Sequence, residues 1–199
     1  METRSPQIIL ASASPRRREL LDQLGIAYEV MPAGIHEHPL PDESPETYVR
    51  RVAAEKCLET WRSGGGRLPV LAADTEVVLD GNILGKPQDF EHASRMLAQL
   101  AGREHRVLSA VSLRHGERHW EALSVSSVRF RRIGQDEIEA YWATGEPCDK
   151  AGAYAIQGKG AVFIEHLSGS YSGVMGLPLF ETAELLKQAG ISVLAQPSC

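Results

Sequence analysis

Residues 7 to 25 read Gln-Ile-Ile-Leu-Ala-Ser-Ala-Ser-Pro-Arg-Arg-Arg-Glu-Leu-Leu-Asp-Gln-Leu-Gly. The apolar run Ile8 to Ala11 predicts a short buried strand. Ser12, Ala13 and Ser14 form its exit. Ser14 suits a helix N-cap, and Pro15 suits the first helical position, where a missing N–H removes no bond. Leu20, Leu21 and Leu24 recur at helical spacing and Gly25 is a stop. The stretch is therefore strand, tight loop and helix N-terminus, whose free N–H groups favour an anion. Arg16, Arg17 and Arg18 occupy the first turn, where the helix dipole disfavours cations. With two serine hydroxyls they form a set suited to phosphate. The alternative is a solvated basic turn.

Working outward, 199 residues fit one domain with a real core. Hydrophobic residues make up 43% and charged residues 24%, the proportions of a water-soluble domain. A net charge of −5 gives no global basic field for nucleic acid, so an anionic ligand must be held by local charge. Cys57, Cys148 and Cys199 lack metal-ligand spacing and fit a reduced, cytoplasmic protein. No apolar run is long enough for a membrane, and the N-terminus lacks the apolar segment of an export signal.

Ala27 to Met31 predicts a second strand, followed by a polar loop from Pro32 to Glu43. In that loop His36 and His38 point to opposite sides if the chain is extended, which argues against a joint histidine site. Glu37 remains as a candidate metal or water ligand. Ser44-Pro45-Glu46 opens a long helix ending near Ser63, before Gly64-Gly65-Gly66, a flexible connection. Val49, Val52, Ala53 and Lys56 form one stripe of that helix. A lysine in an apolar stripe either snorkels to water or enters a cleft to meet phosphate.

Pro69 to Ala73 predicts a central strand ending at Asp74-Thr75. Val77 to Leu79 and Asn82 to Leu84 flank Asp80-Gly81 as a hairpin, with Gly85-Lys86-Pro87 at its exit. An acidic residue at the end of a buried strand needs a partner, a metal or a catalytic task, and such strand ends border ligand crevices. A turn-capping Asp is the alternative. Asp89 to Leu100 predicts an amphipathic helix, Arg106 to Arg114 and Trp120 to Phe130 two long antiparallel strands around Gly116, and Gln135 to Ala143 a short helix with Ile138, Tyr141 and Trp142 inward. Residues 145 to 178 are glycine-rich return loops, in which Gln157 could read a base edge. A last helix runs from Pro178 to Ala189, a last strand from Ile191 to Leu194, and the tail Ala195 to Cys199 frays.

The basic helix start, Lys56, Lys86, Glu37 and Asp74 together supply what phosphoryl chemistry needs: cations on the phosphates, carboxylates for a divalent metal and an oriented water. No P-loop, dinucleotide fingerprint or Gly-x-Ser-x-Gly elbow occurs.

Leu10-Ala-Ser-Ala-Ser-Pro-Arg-Arg-Arg-Glu-Leu-Leu21 resembles the signature of the Maf family of nucleoside triphosphate pyrophosphatases. So do Ala73-Asp74-Thr75 with Gly85-Lys86-Pro87, Asp149-Lys-Ala-Gly-Ala-Tyr154 with Ile156-Gln157-Gly158, and Gly176-Leu-Pro-Leu179, in family order along nearly the whole chain. One departure is His36-Glu37, where the family loop carries two acidic residues, so that Glu37 acts alone. The resemblance implies a single domain over 1–199 of two lobes around one cleft. Its fold would be α/β, an elongated mixed twisted sheet flanked by helices, similar to inosine triphosphate pyrophosphatases. It implies hydrolysis of a nucleoside triphosphate to the monophosphate and pyrophosphate with Mg²⁺ or Mn²⁺, and a homodimer. By position, Asp74 matches the catalytic carboxylate and Glu37 the second acidic residue, both toward the metal. Lys56 and Lys86 match phosphate-binding lysines, Lys86 at the catalytic centre, and Ser12, Arg16 and Arg17 the phosphate loop. Arg16, Thr75 and Gln157 resemble the branch preferring dTTP and UTP, and a glutamine amide suits the O4/N3 edge of a pyrimidine. Alternatives are a nucleotide-binding regulator of septation and a pyrophosphatase for 7-methyl-GTP or noncanonical purine nucleotides.

Overall fold

In the computed structural model, which describes residues 5–64 and 66–194, the cleft is built on a ten-residue strand whose middle is polar. The elements are β1 (Ile8–Leu10), α1 (Pro15–Gln23), β2 (Tyr28–Val30), α2 (Pro45–Ser63), β3 (Val70–Leu79), β4 (Asn82–Ile83), α3 (Phe90–Leu100), β5 (Glu104–His115), β6 (Arg118–Phe130), α4 (Gln135–Trp142), β7 (Ile164–Ser168), α5 (Tyr171–Met175) and α6 (Leu179–Gln188). Gly65 of the glycine run and the tail from Ala195, for which flexibility and fraying were expected, lie outside the described residues.

The sheet has seven strands in the order β2-β1-β3-β5-β6-β7, with β4 beside β3. β2, β1 and β3 run parallel, and the pairings from β3 through β7 are antiparallel. This is the mixed α/β sheet expected from the sequence. One edge of β3 is shared by two short strands. Val70 and Leu71 pair with β1, and Val78 and Leu79 pair with β4. Between them, Ala72 to Glu76 have no strand partner on that edge among the described residues. The other edge pairs continuously with β5 from Val70 to Val78.

Both faces of β3 are apolar at the ends and polar in the middle. On one face Leu71 and Ala73 join a core with Ile8, Leu10, Leu21 and Leu186, while Val77 and Leu79 join a second core with Leu97, Leu100, Phe130 and Tyr141. Thr75 lies between the two. On the opposite face Val70 and Ala72 pack with Cys57, and Val78 packs with Val49 and Ala53 of α2. Asp74 and Glu76 lie between those. A strand covered on both faces reads as a continuous hydrophobic run; the interruption Asp74-Thr75-Glu76 marks where the covering layers part.

The helix boundaries follow the expected caps. Ser44 accepts from Thr47 N–H and Asp89 from His92 N–H. The stripe of α2 is buried throughout, with Lys56 only 8% exposed. Several expectations are corrected. Asp74 does not end a strand: its backbone continues opposite Ala110, Thr75 opposite Ser109 and Glu76 opposite Leu108. The side chain of Ser14 makes no capping bond; its backbone N–H instead donates to Ser12 Oγ at 3.2 Å. Ile191 to Leu194 form no strand: the Ile191 N–H donates to Leu186 O at 2.9 Å, in the turn that Gly190, at φ +83°, makes to end α6. Within the glycine-rich return, β7 and the five-residue α5 had no counterpart in the expected elements.

Gly152 sits at φ +67°, and a Cβ there would lie 2.9 Å from both methyls of Val77. Its N–H donates to Gly85 O at 2.9 Å, tying the return segment to the β4 exit. Gly152→Ala should destabilise by about 1–3 kcal/mol, measured as a lower urea midpoint.

In the second core His105 is 2% exposed; its Nε2 meets Tyr154 Oη at 2.9 Å and its ring lies edge-on to Phe130. Burial pushes the imidazole pKa down to about 4 from 6.5. The unfolded chain therefore takes up this proton first, and stability is lost as pH falls from 6.5 toward 4. Between pH 7 and 5 this group should account for about 2 kcal/mol of that loss. Thermal melts of His105→Gln across the same range should show a correspondingly shallower pH dependence.

Candidate active site

The loop between β1 and α1, the middle of β3, the exit of β4, residues 32–37 and the return segment at 149–157 surround one cleft of about 380 Å³. It opens where β1 has ended and β4 has not begun, so β3 presents Asp74, Thr75, Glu76 and Val77 to it. Ligand crevices in α/β sheets form at such switch points.

The β1–α1 loop is shaped by its own hydroxyl. Ser12 Oγ, buried, accepts from Ser14 N–H and from Arg17 Nη1, each at 3.2 Å. Arg17 Nε donates to Gly176 O at 2.8 Å, which joins α1 to the turn after α5. Burial lowers the Arg17 pKa, and the nearby Asp74 carboxylate opposes the shift. Arg16 lies at the cleft wall, 3.8 Å from Asp149 Oδ2, and Asp149 also holds Lys150. Arg18 is exposed and faces away from this set.

Across the cleft, Lys56 reaches from α2 to both predicted acids. Its Nζ lies 2.9 Å from Asp74 Oδ1 and 2.8 Å from Glu37 Oε2. The snorkelling alternative does not hold: the ammonium is inside. Lys86 lines the same cleft and has no ion-pair partner among the described residues. Thr75 Oγ1 is 3.0 Å from Ser109 Oγ, and Ser109 donates to Gly173 O at 2.6 Å. Gln157 is exposed at the rim. The fold thus brings all nine predicted residues, Ser12, Arg16, Arg17, Glu37, Lys56, Asp74, Thr75, Lys86 and Gln157, to one cleft.

Three further charged residues line it and were not singled out from the sequence: Glu76, Asp149 and Lys150. Asp149 and Lys150 stand in a quoted motif without an assigned task. Glu76 had a legible signal, since it follows Asp74 by two residues and therefore shares its face once the strand is known to continue. Burial, and then the Asp74 charge, push the Glu76 carboxyl up to about 8. In total Arg16, Arg17, Lys56, Lys86 and Lys150 meet Glu37, Asp74, Glu76 and Asp149, a locally cationic balance in a chain of net charge −5.

No group of three or more His, Cys, Asp and Glu side chains among the described residues forms a ready metal cage. Asp74 Oδ2 and Glu76 Oε2 are buried without a hydrogen-bond partner among those residues. Carboxylate oxygens only accept. Such atoms fit Mg²⁺ or Mn²⁺ as nucleotide sites bind them, through one or two carboxylates with substrate phosphates and water completing the shell. No helix among the described residues is long and apolar enough to cross a membrane.

Relatives with this chain's sequence are named for one activity. The dTTP/UTP pyrophosphatase of Methylococcus capsulatus is 59% identical over 191 residues, covering 96% of this chain and 95% of that protein. Those of Alkalilimnicola ehrlichii and Nitrosomonas europaea are 56% and 54% identical, covering 92% and 94% of this chain and 93% and 96% of their own. A solved HAM1 protein from Coxiella burnetii shares the fold at a TM-score of 0.51 and 17% identity, over 92% of this chain and all of that one. Residues 7–189 match the family described as Maf-like protein, and with relatives more than half identical along nearly the whole length, this chain belongs to the Maf family.

Proposed function

We propose that this protein hydrolyses dTTP and UTP between the α- and β-phosphates, giving the nucleoside monophosphate and pyrophosphate. The observation that carries the reading is the state of Asp74 inside a cation-lined cleft. It is 4% exposed, its Oδ1 is held by Lys56 at 2.9 Å, and its Oδ2 is unpaired. The names of the relatives supply the substrates.

The triphosphate lies against the β1–α1 loop, where Ser12, Arg16 and Arg17 face it and the N-terminus of α1 adds its dipole. Lys86 approaches from the opposite wall. These cations stabilise the charge that moves onto the departing pyrophosphate. Asp74 and Glu37 would hold Mg²⁺ or Mn²⁺, which would supply polarisation of the α-phosphate and of the attacking water. Lys56 holds Asp74 through Oδ1, which leaves Oδ2, with its two lone pairs, to face both the cation and the attacking water whose proton it would accept. Gln157, Thr75 and Arg16 select the base. The Thr75 hydroxyl is positioned by Ser109, and the Gln157 amide both donates and accepts, as a pyrimidine edge requires.

A panel of nucleoside triphosphates assayed with Mg²⁺ and with Mn²⁺ should show dTTP and UTP as the preferred substrates, with pyrophosphate as product. A preference for 7-methyl-GTP would refute this specificity. Asp74→Asn should slow turnover on both nucleotides by roughly a hundredfold or more, with the protein still folded by circular dichroism. Near-normal turnover in that variant would remove Asp74 from the chemistry.

Gln157→Ala should leave turnover on dTTP within a few-fold while raising KM, because a base contact is made equally in the ground and transition states. Steady-state kinetics on dTTP and dCTP would read this as a narrowed discrimination between them.

A further inference from the structure

Glu76 is the carboxylate that folding alone does not explain. It lies in the interior of β3, paired opposite Leu108, where glutamate is disfavoured as a strand residue. Along the same face Ala72, beyond Asp74, and Val78 are buried and apolar. An apolar side chain at 76 would continue that face toward Val49 and Ala53.

The other acids of the cleft are matched by cations. Glu37 and one oxygen of Asp74 hold Lys56, and Asp149 holds Lys150 with Arg16 nearby. Two buried oxygens remain, Asp74 Oδ2 and Glu76 Oε2, and neither meets a donor among the described residues. They come from one face of one strand, on residues whose Cα atoms are about 6.6 Å apart at the usual rise per residue. Two adjacent carboxyl groups, taken from water with one oxygen of each left without a partner, are costly without a cation.

Glu37 is less suited to the inner position. Its side chain is 42% exposed on the 32–43 loop, and its Oε2 is already on Lys56. Glu76 is carried by a strand that pairs with β5 without a break from Val70 to Val78, so its carboxylate stands on a rigid part of the cleft wall. Hard divalent cations take such an oxygen pair and complete their shell with phosphate and water.

We propose that Glu76 is a direct ligand of the divalent cation, forming with Asp74 the inner carboxylate pair of the cleft. The nucleotide that completes the shell rests on the pyrophosphatase reading; the cation site itself does not. The arrangement divides the acids by depth: Asp74 and Glu76 on the strand form the inner pair, and Glu37 on the loop, with Oε2 on Lys56, borders the same cation from the rim.

Mn²⁺ titration of the nucleotide-free protein, followed by the loss of the free Mn²⁺ electron paramagnetic resonance signal, tests this. Glu76→Gln should weaken Mn²⁺ binding roughly tenfold or more. It should also raise the Mn²⁺ concentration needed for half-maximal dTTP hydrolysis. Glu76→Val, which suits the strand better, should show the same loss of Mn²⁺ affinity with a urea midpoint at or above that of the wild type. That combination separates a ligand from a structural residue. Unchanged Mn²⁺ affinity in both variants, or no Mn²⁺ binding by the wild type, would overturn the assignment. A protein that binds Mn²⁺ through Glu76 yet leaves dTTP and UTP intact would overturn the pyrophosphatase reading and leave this one standing.

Discussion

The ammonium of Lys56, held within 3 Å of carboxylates from two different elements, ties together α2, β3 and the 32–43 loop. A buried ion pair adds little net stability, because desolvation offsets most of the attraction. Breaking it by removing one member is a different matter, since a charge is then stranded away from water. The consequence is positional. Asp74 cannot turn away, Lys56 cannot snorkel out, and the loop carrying Glu37 is drawn over the cleft. The site is held by mutual necessity among its charges rather than by hydrophobic burial.

That necessity is imposed by β3. Its ends are buried on both faces by four apolar clusters, and its middle carries Asp74, Thr75 and Glu76. The same three residues lie where β1 has stopped and β4 has not started. A gap in the sheet edge and a gap in the apolar covering therefore coincide. The strand does not break there because β5 continues its hydrogen bonding without interruption. A rigid strand thus displays polar groups to a cleft, which loops would do less precisely.

This explains which parts of the design were legible in the sequence. The β1–α1 turn was readable because its signals are local: an apolar run, a proline at the helix start, and leucines at helical spacing. The stripe that ends in Lys56 was readable for the same reason. Asp74 was recognised as functional, yet placed at a strand end, because Asp-Thr-Glu looks like a break to any reading based on apolar runs. Only the partner strand, some 35 positions away at Ser109 and Ala110, reveals continuity. Glu76 was missed through that same error, for its shared face with Asp74 exists only if the strand runs on. β7 and α5 were missed because each is five residues long and bounded by glycines that read as loop. The terminal strand expected at Ile191 failed in the opposite way: the apolar residues are present, but the Ile191 N–H is taken by Leu186 O in the turn that closes α6.

The charge arrangement also explains how five cations can share a cleft of about 380 Å³. Unbalanced, they would repel one another in a medium less polar than water. Each wall answers this differently. On the α2 side Lys56 is neutralised by two carboxylates, and on the return-segment side Lys150 and Arg16 share Asp149. Arg17 spends its hydrogen bonds on Ser12 Oγ and Gly176 O, both neutral, and so keeps its full charge available. Lys86 is likewise unpaired among the described residues. The two cations left without an acid therefore come from separate walls, one from α1 and one from the β4 exit. A polyphosphate carries several charges along one chain and so can be met from both.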